Sequence, residues 1–187
     1  MAFTAQDVKK LREMTNVGMM DCKKALQATD GDMDAAVDWL REKGLAKAAK
    51  KAGRIAAEGV ALATVIDGIG VVIEVNAETD FASKTDAFQD LVKNLAIVVA
   101  KENPADVEAL KACKYPESNL TVTEIMQEKV MSIGENMQIR RFARFADNTS
   151  VAYVHAGGSH GVLVNLLSRA TSTLPRLVRT LQCRSLQ

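Results

Sequence analysis

The sequence predicts an α+β fold, in which an N-terminal three-helix module precedes helices packed on a small antiparallel sheet. Three observations support this prediction. Helix-start signals recur before residue 45, β-branched residues then dominate residues 60–75, and apolar residues return to helical spacing after residue 80. The 187 residues are 48% hydrophobic and 25% charged, which is typical of a globular protein with one or two domains.

The first 44 residues carry the signals of three short helices. Thr4 and Asp7 mark the first helix start, a second helix occupies about residues 19–28, and Asp32 can cap a third. Gly44 suits the left-handed position after the last turn of the third helix. The apolar residues that we expect in the core of this module are Val8, Leu11, Cys22, Ala36, Val37, Trp39 and Leu40.

A β-hairpin follows a basic helical connecting segment at residues 45–54. Residues 60–66 and 71–75 are rich in β-branched side chains, and the four residues Asp67-Gly68-Ile69-Gly70 separate them. An Asp-Gly pair between two such runs is a strong hairpin signal.

The rest of the chain mixes helices and strands. A long helix is expected from Asp80 to Pro104, with Asp80 as a possible cap, and Thr121 with Glu124 forms a capping box for a later helix that Gly134 ends. The strands expected after it are residues 137–145, 151–156 and 161–167. We therefore divide the chain into a three-helix module with its connecting helix (1–54), an α+β core subdomain (55–140), the start of a second, incomplete subdomain (141–167) and an atypical basic tail (168–187).

Composition also limits the function. The three cysteines (Cys22, Cys113 and Cys183) are far apart, which argues against a disulfide framework or a zinc site. Neither a signal peptide nor an apolar run of roughly 20 residues is recognisable, so we expect a cytoplasmic protein that does not bind a membrane. All 23 acidic residues lie before residue 148, and the body of the chain has no strong positive field for nucleic acid.

Residues 168–187 combine arginines with leucines and lack acidic residues. Leu174, Leu177, Val178 and Leu181 fall at helical spacing, which would suit a basic amphipathic helix. A loose terminal tail is the simpler interpretation.

Motifs of catalysis are weak. His155 and His160 flank a glycine-rich turn without a Cys or acidic neighbour, so we expect no metal and no cofactor. The chain has no P-loop, and we expect neither direct nucleotide binding nor enzymatic activity. A solvated helix is favoured over phosphate binding for the basic stretch at 47–54. One of Met19 and Met20 should face the core and the other the solvent, because adjacent helical residues diverge by about 100°.

Two motifs resemble a known family. Residues 17–26 read Val-Gly-Met-Met-Asp-Cys-Lys-Lys-Ala-Leu, and residues 78–81 read Glu-Thr-Asp-Phe. From Phe3 to about Val164 the chain resembles bacterial translation elongation factor Ts, the nucleotide exchange factor of the GTPase elongation factor Tu. The N-terminal segment also resembles the ubiquitin-associated (UBA) type of module, with Asn16 where the factor Ts pattern commonly has Gly. After about residue 165 the pattern suggests a shortened or altered chain.

The resemblance implies where the partner would bind. Asp80, Phe81, Ala82 and Ser83 match the segment that disturbs the magnesium site of elongation factor Tu and so promotes GDP release. Further partner contacts are implied for Met19, Met20 and Lys23, for Ile133 and Gly134 with the Glu135 and Asn136 that follow them, and for His155. Two alternatives remain open, an exchange-deficient docking fragment and a UBA-like protein-binding adaptor.

Overall fold

The computed structural model describes residues 3–15 and 17–166, apart from the side chains of Leu45, Lys47 and Ala48. Asn16, the last residue of the expected strand 161–167 and the tail 168–187 therefore lie outside the described residues. The helices and strands of the described part are α1 (Ala5–Thr15), α2 (Met19–Ala28), α3 (Met33–Lys51), β1 (Glu58–Ile66), β2 (Ile69–Ala77), α4 (Asp80–Ser83), α5 (Asp86–Glu102), α6 (Val107–Ala112), α7 (Val122–Ile133), β3 (Met137–Phe145), β4 (Thr149–His155) and β5 (His160–Leu166).

Helices α1–α3 enclose a small apolar core of their own. The predicted start of α1 is confirmed, since the Thr4 backbone N–H donates to Asp7 Oδ2 at 2.7 Å and Asp7 N–H donates to Thr4 Oγ1 at 3.3 Å. Such reciprocal bonds satisfy N–H groups that have no partner within the helix. The buried residues of this core are Val8, Leu11, Val17, Cys22, Ala25, Leu26, Ala36 and Leu40.

The predicted helix end at Gly44 is wrong, because α3 continues to Lys51. Gly44 is buried where α3 crosses α7, and a Cβ added there would lie 3.2 Å from Met131 Sδ. Arg41 pairs with Glu128 of α7 at 3.4 Å beside this crossing. Packing against α7 therefore outweighs the low helix propensity of glycine, and the basic connecting segment is largely the second half of α3.

The central sheet is antiparallel in the order β1-β2-β3. The predicted hairpin is confirmed, and its two-residue turn is Asp67-Gly68 with positive φ angles of 51° and 82°. Alternate residues of β2, among them Val71, Ile73 and Val75, are buried in the main core together with residues of α5, α6 and α7. The predicted capping box of α7 at Thr121 and its left-handed end at Gly134 are confirmed as well.

The expected single helix from Asp80 to Pro104 is wrong, because it is two helices. Helix α4 ends at Ser83, and Thr85 begins α5 by accepting a hydrogen bond from the Phe88 backbone N–H at 3.3 Å. A second helix cap inside the apolar pattern interrupts it. Helix α5 ends at Glu102, and the residue that caps it, Asn103, has a left-handed φ of 48° and precedes Pro104.

Strands β4 and β5 form a separate two-stranded sheet that packs on β1 and β2. A Cβ on Gly70 of β2 would lie 2.6 Å from Ser150 Cβ and 2.8 Å from Leu163 Cδ2, so the two sheets approach closely at this glycine. Among the described residues, no helix is long and apolar enough to cross a membrane.

Candidate functional site

Phe81 is the most exposed aromatic side chain of the described residues, with 81% of its surface accessible. It is the second residue of α4, and its neighbours Ala82 and Ser83 are buried at 5% exposure each. The four predicted residues Asp80–Ser83 therefore lie in one helix, but their side chains differ in exposure. Phe81 faces the solvent, whereas Ala82 and Ser83 attach the helix to the body of the protein.

Thr79 caps α4, and the expectation that Asp80 holds the helix start is wrong. The Ala82 backbone N–H donates to Thr79 Oγ1 at 3.2 Å, whereas the Asp80 carboxylate accepts a hydrogen bond from Lys84 Nζ at 2.6 Å. This bond lowers the pKa of Asp80, and the adjacent charge of Lys84 acts in the same direction. Thr79 has the extended backbone that a cap requires, and Asp80 already belongs to the first turn.

The loop after α7 lies against the start of α4. Glu135 accepts hydrogen bonds from Thr79 N–H at 3.0 Å and from Thr79 Oγ1 at 2.7 Å. In return, Glu78 accepts a hydrogen bond from Asn136 N–H at 2.6 Å. These bonds bring Ile133 and Gly134, at the end of α7, to the same part of the surface as Phe81.

Glu78, like Asp80, is a carboxylic acid of this site whose pKa is lowered. The hydrogen bond from the Asn136 backbone lowers the pKa of the Glu78 carboxyl, and the positive charge of Arg54 lowers it further. The closest approach of the Arg54 guanidinium to Glu78 is 3.5 Å. Glu78 is therefore held as an acceptor of hydrogen bonds.

Sequence reasoning missed the structural role of Glu78 and Glu135. Each glutamate lies directly beside a turn that the sequence did indicate, the start of α4 and the left-handed Gly134. Glu135 bonds to Thr79, 56 positions away, and Glu78 bonds to Asn136, 58 positions away. No local sequence pattern signals contacts over such separations.

Met19 and Met20 lie in the first turn of α2 and are both exposed, at 44% and 65%. The expectation that one of them belongs to the core is wrong, because Val17 and Cys22 already occupy the core positions beside them. Lys23 is exposed on the same helix. The three residues form one accessible surface, with two flexible apolar side chains and one positive charge.

His155 ends β4, and its Nδ1 lies 2.9 Å from the Tyr153 hydroxyl. Its ring centroid is 6.0 Å from that of His160 across the hairpin. Strand β1 contacts both α4 and the turn that follows His155. Within residues 3–15 and 17–166, no group of three or more His, Cys, Asp or Glu side chains is placed to hold a metal ion.

Comparison with known proteins identifies the family. A family model described as "Elongation factor TS" matches residues 78–181, which is more than half of the chain and extends into the segment with atypical composition. The chain is similar to elongation factor Ts of Trichlorobacter lovleyi, with 53% identity over 169 residues that make up 88% of this chain and 54% of the relative. Elongation factor Ts of Magnetococcus marinus is 48% identical, over 92% of this chain and 57% of the relative.

Elongation factor Ts of a Nostoc species is 50% identical, over 90% of this chain and 55% of the relative. The chain thus spans about half the length of the curated relatives that it matches. The family match and the shared identity over most of this chain lead to one conclusion: the chain belongs to the elongation factor Ts family.

Proposed function

We propose that the chain is a cytoplasmic nucleotide exchange factor for elongation factor Tu, which promotes GDP release during translation elongation. The observation that carries the proposal is Phe81, which is 81% exposed on a helix anchored by buried neighbours. A phenylalanine ring that is exposed to this extent contributes little to the stability of the free protein. Membership of the elongation factor Ts family supplies the partner.

The exposed ring offers a source of differential binding energy. Burying a phenylalanine stabilises a complex by roughly 1.5–3 kcal/mol. If Phe81 is buried only when the GTPase adopts a nucleotide-releasing form, this energy shifts the population toward that form. Thermodynamic linkage then requires that the factor weaken nucleotide binding as much as the nucleotide weakens binding of the factor. No covalent step is needed, so the proposal involves no enzyme chemistry and no cofactor.

Disturbance of the magnesium site is the finer part of the proposal. The ion bridges the nucleotide phosphates and oxygens of a GTPase, so its displacement removes much of the electrostatic attraction for GDP. Phe81 and the carboxylate of Asp80 are the two groups of α4 that the solvent reaches. Ala82 and Ser83 contribute by anchoring α4.

The remaining predicted contacts divide into two surfaces. We assign docking to the surface of Met19, Met20 and Lys23, on a three-helix module of the UBA type. Ile133 and Gly134 would contact the partner beside Phe81, and His155 would do so from the β4–β5 hairpin. The exposure of the methionines and the position of Gly134 next to α4 support this assignment.

The domain division is part of the same proposal. The two apolar clusters, one within α1–α3 and one around the central sheet, support the proposed boundary near residue 54. The proposed boundary at residue 140 falls inside β3, which pairs with β2 as far as Phe145. Within the proposed range 141–167, the start of a second subdomain would be β4 and β5, because these two strands pair only with each other among the described strands.

The test is release of a fluorescent GDP from purified elongation factor Tu, at fixed magnesium concentration, with and without the chain. Acceleration that saturates with increasing chain supports exchange activity. Because the chain spans about half of its relatives, docking without exchange is the second candidate. Binding without acceleration would establish that alternative, and absence of both effects would refute the proposed function. A partner other than elongation factor Tu in that case would favour a UBA-like adaptor.

A further inference from the structure

At the base of α4, each of two neighbouring loops has a glutamate that accepts a backbone hydrogen bond from the other loop. Glu78, which precedes α4, accepts the Asn136 backbone N–H of the α7–β3 loop at 2.6 Å. Glu135 of that loop accepts the Thr79 backbone N–H at 3.0 Å. We call the set Glu78, Thr79, Glu135 and Asn136 the crossed-loop clamp, because each loop supplies both a carboxylate and a backbone donor.

Helix α4 depends on contacts outside itself. It has four residues, and a single helical turn is unfavourable alone because few hydrogen bonds offset the fixing of its backbone. Its far end is held by Gln89 Nε2, which donates to the Ser83 carbonyl at 2.7 Å. Its near end is held by Thr79. The direction in which Phe81 points therefore depends on Thr79 as well as on the buried Ala82 and Ser83.

Glu135 acts on α4 through the Thr79 hydroxyl. The hydroxyl has one hydrogen, which it donates to Glu135 Oε1 at 2.7 Å, so its lone pairs remain for the Ala82 N–H at 3.2 Å. Hydrogen bonds to an ionised acceptor are roughly twice as strong as neutral ones. The negative charge of Glu135 thus sets the orientation of the cap that begins α4.

The other half of the clamp connects this site to the end of α3. Asn136 is 4% exposed, and its Nδ2 donates to the Arg54 carbonyl at 2.8 Å. The Arg54 side chain pairs with Glu78, and Lys51 Nζ donates to the Gly134 carbonyl. The clamp therefore also fixes the segment that leaves the three-helix module.

We infer that Glu78 and Glu135 are positioning residues for nucleotide exchange. Before the partner binds, they hold Phe81 in the orientation in which the partner would bury it. This inference rests on the proposed function. Because α4 is already ordered in the free protein, binding does not have to supply the entropy cost of ordering it. More of the binding energy of Phe81 is then available to expel the nucleotide. Neither glutamate needs to touch the partner for this role.

Glu135→Gln in the full chain is the first test. The side chain keeps its size, but its NH₂ group now faces one of the two donors of Thr79. We expect hydrogen exchange of the Ala82 amide, followed by NMR in the free protein, to accelerate about tenfold while amides of α5 are unchanged. Glu108→Gln is the matched control, because the Glu108 carboxylate on α6 pairs only with Lys111 in the described contacts. Unchanged exchange at Ala82 would overturn the inference.

GDP release from elongation factor Tu is the second measurement. For Glu135→Gln we expect the maximal release rate to fall about tenfold, while the concentration for half-maximal release changes less than about twofold. In a Phe81→Ala background, Glu135→Gln should cause no further loss, since a positioning residue acts through the group that it positions. Equal losses in both backgrounds would overturn the positioning role.

The two measurements fail in different ways. If the unaltered chain does not accelerate GDP release, the proposed function is refuted and the role of the glutamates in release with it. The Ala82 amide then still decides whether the crossed-loop clamp holds α4. If release is normal and only the Glu135→Gln effects are missing, the inference about the clamp fails and the proposed function stands.

Discussion

Truncating Phe81 to alanine removes a ring that is 81% exposed, so little buried apolar surface is lost in the free protein. We expect the free energy of unfolding to stay within about 0.5 kcal/mol of the unaltered chain, as for other surface substitutions. Phe88 is the matched control. It lies seven residues later with no exposed surface, and Phe88→Ala should cost about 3–5 kcal/mol.

Phe81→Ala should have a large effect on the rate of GDP release, in contrast to its small effect on stability. If the ring is buried only in the releasing complex, its loss removes roughly 1.5–3 kcal/mol from that state alone. At 1.4 kcal/mol per factor of ten, the rate constant for GDP release should fall about ten- to a hundredfold.

Urea unfolding followed by circular dichroism measures the first quantity, and release of a fluorescent GDP from elongation factor Tu measures the second. Release that is unchanged by Phe81→Ala would refute the proposal that Phe81 is buried only in the nucleotide-releasing complex. A loss of stability similar to that of Phe88→Ala would show that the Phe81 ring packs within the fold, against the exposure described above.

The remaining predictions concern the supporting structure. Because the Asn136 N–H holds the pKa of Glu78 below its ordinary 4.5, the stabilisation by this carboxylate is present above pH 4.5 and is lost as the pH falls through the lowered pKa. The Asn136 amide should therefore shift in NMR spectra only below pH 4.5, and a midpoint above that value would contradict the bond. Gly70→Ala should destabilise the chain by about 1–3 kcal/mol in urea unfolding, because the new Cβ meets Ser150 at 2.6 Å; an unchanged midpoint would mean that the hairpin moves aside freely. Thr121→Ala should cost about 1 kcal/mol by loss of the capping box of α7, whereas Thr121→Ser should cost less.

Features that are local in sequence could be predicted from it. The Asp67-Gly68 turn needs only two residues that tolerate positive φ, and the capping box at Thr121 needs only its own helix. The break between α4 and α5 also had a local signal, since Thr85 precedes Asp86 and Phe88 at cap spacing. The continuous apolar spacing around it concealed this cap.

Features that depend on distant residues could not be predicted. Gly44 is helical because α7 packs against it, and no residue near Gly44 encodes that contact. In the candidate site, the exposed Phe81 was found through family resemblance. Glu135 was not recognised as its support, because the bond to Thr79 joins positions 56 residues apart.

Because α3 is continuous, it fixes the relative orientation of the two proposed partner surfaces, Met19–Met20 and Phe81. One end of this 19-residue helix packs within the three-helix module, and the other passes over α7 toward Arg54. Each residue of a helix turns the chain by about 100° and advances it by 1.5 Å. A single alanine inserted after Leu40 would therefore turn Ala36 and Leu40, which pack in the module core, by about 100° relative to Arg41 and Gly44, which pack on α7. The number of α3 residues between these two contacts therefore determines how the Met19–Met20 surface is oriented relative to Phe81.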